Sequence, residues 1–87
     1  MKMTILVIDG QGGKLGKLLC ESITKKLPEI ELIAVGTNTT ATAAMIKGGA
    51  KKAATGENSI CVMSKKADVI VGPVGIVIAD ALMGEIT

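Results

Sequence analysis

The segment that most constrains this chain is Thr4-Ile5-Leu6-Val7-Ile8, followed at once by Asp9-Gly10-Gln11-Gly12-Gly13. A short, nearly continuous apolar run suits a strand covered on both faces. The glycines that follow favour a tight turn. Beyond them Leu15, Leu18, Leu19, Ile23 and Leu27 recur at helical spacing, and Pro28 stops the pattern. A buried strand turning sharply into an amphipathic helix is the opening of a β-α-β unit.

The rest of the chain continues that alternation. Residues 30–35 (IELIAV) and 68–71 (DVIV) read as further strands, each followed promptly by a glycine, Gly36 and Gly72. A second helix is expected over about 40–47, stopped by Gly48-Gly49. Residues 50–56 read as a loop. Residues 57–66 fit either a helix capped by Thr55 or Asn58 or a short strand at 60–62; the short connection to Asp68 favours the helix. A last helix is expected over about 75–83. The order β-α-β-α-(α)-β-α predicts an α/β fold: a small three-layer domain with a parallel sheet of three or four strands and helices on both faces, incomplete at its C-terminal end. With 87 residues there is room for one domain and a thin core, which makes a homo-oligomer the expected state.

Composition removes several kinds of chemistry. The chain has no histidine and no aromatic residue, and all ten of its basic residues are lysine. A histidine triad, a histidine metal site, an arginine finger and an aromatic platform for bases are therefore excluded within one chain. The pairs Lys51-Lys52 and Lys65-Lys66 read as solvated faces, and no nucleic-acid partner is expected. Cys20 and Cys61 lie far apart with apolar neighbours, so they read as buried thiols rather than metal ligands or a disulfide framework. That usage suits the cytoplasm. The opening apolar run is too short for a signal peptide, and the longest one, residues 69–79, is interrupted by Gly72, Pro73 and Gly75, so no membrane span is expected.

The chemistry is concentrated in the glycine turn. Gly10, Gly12, Gly13 and Gly16 stand where a strand meets a helix. Their missing side chains let backbone N–H groups approach a ligand, and the start of a helix offers unpaired donors and a partial positive charge to an anion. Gly16 allows close packing of helix on strand. Against the dinucleotide pattern G-x-G-x-x-G, Gly10 and Gly12 fit, the third position is Leu15, and Gly16 gives a spacing one residue longer. The phosphate-loop pattern G-x-x-x-x-G-K-[ST] fails, because Leu18 stands where a hydroxyl should follow Lys17. Asp9 has three open roles: a magnesium ligand, a partner of a ribose hydroxyl, or a cap on the amides of Gly12 or Gly13.

In open α/β sheets the ligand lies outside the carboxyl ends of the strands. Residues 9–13, 36–40 and 72–75 should meet there. The second loop carries no acidic residue of the kind that binds an NAD ribose and no arginine for a 2′-phosphate. Thr37, Asn38 and Thr39 are left to touch a ribose or phosphate, or to cap the second helix. Gly72 and Pro73 would line the crevice. No constellation for general acid–base work is evident, with Asp9, Glu57 and the lysines each lacking a partner.

The words IDGQGG, GTN-T-AT-AM, ATGEN, VGPVGI and LMGEIT, taken together and in order, resemble a small bacterial family without assigned activity, domain of unknown function 3842. The resemblance covers essentially the whole chain. It implies a Rossmann-like fold and nucleotide or dinucleotide binding, with NAD or NADP the first ligands to consider. Members of that family continue past LMGEIT with a further helix and strand, which implies a fragment or an edge supplied by another subunit. The expectation is thus a nucleotide-binding domain, with phosphate at Gly10, Gln11, Gly12, Gly13 and Gly16. The alternative is a regulatory or assembly module, in which the helix over 76–83 pairs with another subunit and the glycine turn is purely structural.

Overall fold

A computed structural model describes residues 3–10, 12–72 and, through their backbone, 75–78. The chain runs β1 (Thr4–Asp9), α1 (Lys14–Lys26), β2 (Glu31–Gly36), α2 (Thr39–Lys47), β3 (Lys52–Thr55), α3 (Glu57–Ser64), β4 (Val69–Gly72) and β5 (Gly75–Ile78). Among the described residues these strands form one sheet in the order β3-β2-β1-β4-β5. The first four are parallel and β5 is antiparallel to β4. This is the α/β, Rossmann-like architecture expected from the alternation of elements.

The apolar run of β1 alternates between two cores. Ile5 and Val7 pack with Cys20 of α1 and Met45 of α2, while Leu6 faces Ile33, Val35 and Ala67 beneath α3. Helices thus cover both faces, and β1 lies between β2 and β4, which is why it reads as a continuous hydrophobic string rather than an alternating one. Leu6, Val7, Leu32 and Val35 are completely enclosed. Each contributes roughly 1.5–3 kcal/mol relative to an exposed side chain.

The structure corrects four local expectations about elements and one about a thiol: Cys61, expected buried, is exposed. Residues 52–55 are not loop but strand β3, paired in parallel with β2 from Ile33↔Lys52 to Gly36↔Thr55. Lys-Ala-Ala-Thr has little strand propensity of its own; pairing with the neighbouring strand decides the outcome. Residues 75–78 are not the start of a helix but β5, folded back on β4 with Gly72 opposite Gly75. Their Gly-Ile-Val-Ile sequence is β-branched, and a two-residue connection is a hairpin length. The helical expectation for 79–83 falls outside the described residues. The helix α3 forms, but its N-cap is Gly56, with no side-chain cap from Thr55 or Asn58.

The fourth correction concerns α1. Its buried positions are Gly16 and Cys20, with Leu19 and Ile23 packed alongside. Leu15, Leu18 and Leu27 are 51%, 57% and 47% exposed, so the leucine stripe is not the stripe that faces the core. The cause is close approach. A Cβ on Gly16 would come 2.7 Å from Met45 Sδ and 2.9 Å from Asp9 Cβ, so the helix meets the sheet through a residue with no side chain.

Candidate functional site

The carboxyl ends of β1 and β2 finish level, because the register pairs Asp9 with Gly36. The amide of Thr37 donates to the Asp9 carbonyl (3.1 Å), which carries the pairing one step into the loops. The end of β4 lies on the other side: a Cβ on Gly72 would come within 3.6 Å of the Ile8 carbonyl. The reversal of strand order falls between β1 and β4, and this is where an open α/β sheet forms its crevice. Gly10, Gly12, Gly13, Thr37, Asn38, Thr39 and Gly72 are all at this end. Gln11 and Pro73, which also belong to the expected site, lie outside the described residues.

The glycines of the turn differ in what requires them. Gly13 is the N-cap of α1, with φ of 80°, and its added Cβ would lie 2.7 Å from the Ala41 backbone and 2.8 Å from Ala44 Cβ. It therefore serves both the turn and the seam between α1 and α2. Gly12 is exposed, and a Cβ there would meet nothing within 4 Å among the described residues. Open space over a glycine backbone is what a ligand needs in order to approach it.

Asp9 is 5% exposed, and its Oδ2 accepts from the Gly16 amide at 2.7 Å. The capped amide is thus in the helix itself, not at Gly12 or Gly13. Gly13 cannot cap with a side chain, and α1 has no acidic residue in its first turn. A carboxylate from the preceding strand supplies the missing acceptor and sits favourably at the positive end of the helix. Among the described residues, the amides of Gly12, Gly13, Lys14 and Leu15 donate to no partner. Four donors remain beside the open side of the turn.

Thr37 and Asn38 point at the protein. Thr37 Oγ1 donates to the Gly10 carbonyl (2.9 Å), and Asn38 Nδ2 reaches the same oxygen (3.3 Å). Asn38 is also the N-cap of α2, its Oδ1 accepting from the Ala41 amide at 2.8 Å. Behind them the buried Thr42 bonds the Asn38 and Ala54 carbonyls and the Thr55 hydroxyl, tying α2 to β3.

Beside the turn, an open depression of about 580 Å³ follows the seam between α1 and α2. Gly12, Lys17, Thr39, Thr40 and Lys47 line it, over a floor of Ala43 and Ala44. Thr40 belongs to the 36–40 loop expected at this end, whereas Lys47 is not evident from sequence as a site residue. Only the seating of Gly13 on Ala41 and Ala44 brings it to the turn. Among the described residues, no three potential metal ligands come together. No helix among them is long and apolar enough to cross a membrane.

One family model, described as a domain of unknown function (DUF3842), matches residues 4–87. No curated protein and no solved structure matches the chain. The chain belongs to the DUF3842 family.

Proposed function

We propose that this DUF3842 family member binds a nucleotide at the carboxyl ends of β1, β2 and β4, with a phosphate over the glycine turn. The carrying observation is Gly12: space lies open above it, and the neighbouring amides of Gly13, Lys14 and Leu15, like its own, have no partner among the described residues. Asp9 supports the reading because it is turned inward onto the Gly16 amide. A carboxylate aimed at the ligand would repel a phosphate; one buried beneath the turn braces the donors. Lys17 and Lys47 add positive charge at the rim. NAD and NADP are the first ligands to test.

The test is a matched pair of measurements. Thermal unfolding in millimolar NAD, NADP, ATP and AMP should rise for at least one ligand; saturation at 100 times the dissociation constant adds about 2.7 kcal/mol. The Gly12→Val variant should melt close to the parent, because its Cβ meets nothing within 4 Å among the described residues. It should nevertheless lose the ligand-induced shift, because the branched side chain occupies the phosphate position. An undiminished shift in a folded Gly12→Val protein refutes the site.

A second reading, the assembly module, is favoured by the exposure of Leu15 and Leu18 one turn apart on α1. The pairing helix expected over 76–83 is not its basis, since 75–78 are strand. It predicts a melting temperature that rises with protein concentration and is insensitive to every nucleotide.

A further inference from the structure

We infer that the nucleotide carries a second phosphate group, additional to the phosphate or pyrophosphate over the glycine turn, and that Lys17 and Lys47 hold it in the depression between α1 and α2. This rests on the nucleotide reading above and narrows the class of ligand. The two lysines come from different helices, α1 and α2. They share one depression because Gly13 sits against Ala41 and Ala44, and Gly48 against the Lys17 backbone.

The balance of charge there is one-sided. Among the described residues, no carboxylate lines the depression. Neither lysine has an ion-pair partner among the described residues, where the pair present is Lys52 with Glu31 at the opposite end of the sheet. Asp9 and Asp68 are engaged on the amides of Gly16 and Thr4. Two lysines on one depression concentrate positive charge there, and a dianion bound between them would offset it. Ala43 and Ala44 leave the floor shallow, and the Thr39 and Thr40 side chains stand at its edge.

The loop after β2 argues in the same direction. A bare ribose is recognised there by a carboxylate accepting from its hydroxyls. Here β2 ends at Gly36, and Thr37 and Asn38 are spent on the Gly10 carbonyl. Lys17 and Lys47 line the adjoining depression, whereas residues 36–40 include no carboxylate. The second phosphate has two possible sources: a 2′-phosphate on the ribose of a dinucleotide, or the terminal phosphate of a nucleoside polyphosphate.

Titration calorimetry on the full chain separates them. NAD is compared with NADP, and AMP with ATP, for the parent, for a Lys17→Ala/Lys47→Ala double variant, and for Lys65→Ala as a control beyond α3. The more highly phosphorylated member of one pair, NADP or ATP, should bind about tenfold more tightly or better. That advantage should vanish in the double variant and persist in the control. The pair that shows it identifies the source. Equal affinities within both pairs, or an advantage that survives loss of both lysines, overturn the inference and leave nucleotide binding standing. Failure of all four ligands to bind overturns both. The comparison within each pair is made on the parent protein, so it does not depend on the variants folding.

Discussion

The two ends of the sheet each carry a depression, and the larger one is the less equipped for recognition. At the amino ends of the strands a hollow of about 800 Å³ is lined by Met3, Leu27, Pro28, Ile30, Lys26, Glu29 and Lys51. Its most prominent cation is already used: Lys51 Nζ bonds the carbonyls of Ile30 (2.8 Å) and Pro28 (3.3 Å). The depression at the carboxyl ends is smaller, about 580 Å³, but it borders unpartnered amides and two lysines outside any ion pair among the described residues. Volume alone would choose the amino end. The disposition of polar groups chooses the carboxyl end, because binding needs donors that folding has not consumed.

The sharpest way to break this contrast lies within the glycine turn. Gly13→Val should destabilise by about 3 kcal/mol or more, from left-handed backbone strain plus collision with Ala41. Urea unfolding of Gly13→Val beside Gly12→Val measures how differently two adjacent glycines are used; equal stabilities would erase the distinction. Asp9→Ala should cost about 1–3 kcal/mol in the same assay, since it strips the buried Gly16 amide of its acceptor. Asp9→Asn, which keeps an oxygen there, should cost less.

A smaller effect concerns Cys20, midway along α1. Burial, reinforced by the charge of Glu21, pushes its thiol from 9.0 up to about 11. The folded protein therefore keeps a proton that the unfolded chain releases near 9. The stability linked to this thiol is complete below that pH and falls as pH rises from about 9 towards 11. Melting curves across that window should show a steeper decline for the parent than for Cys20→Ala. The smallest effect belongs to the amino end. Lys51→Ala should change stability by under about 1 kcal/mol, its bonds being exposed, and leave nucleotide affinity unaltered. A loss of affinity there would transfer the site to the larger hollow.

Much of this architecture is legible in the chain itself. The runs of β1 and β2 are apolar enough to be strands, the glycines mark where they turn, and Pro28 and Gly48-Gly49 bound the first two helices. What is hidden has a common cause: it depends on partners remote in sequence. Strand β3 exists through its pairing with β2. The buried side of α1 is concealed because periodicity weighs large side chains, whereas this helix packs through Gly16 and Cys20. Within the candidate site the glycine turn is evident locally. The engagement of Thr37 and Asn38 with Gly10 is not, nor is the arrival of Lys47, since both follow from how α2 is seated.

Asn38 bonds the Gly10 carbonyl with one end of its amide and the Ala41 amide with the other. One side chain thus fastens the loop after β1 to the opening turn of α2, and a displacement of either is transmitted mechanically to its neighbour. Occupancy at Gly12 can be followed at a distance: deuterium uptake by the Ala41 amide becomes a reporter for a ligand that never touches it.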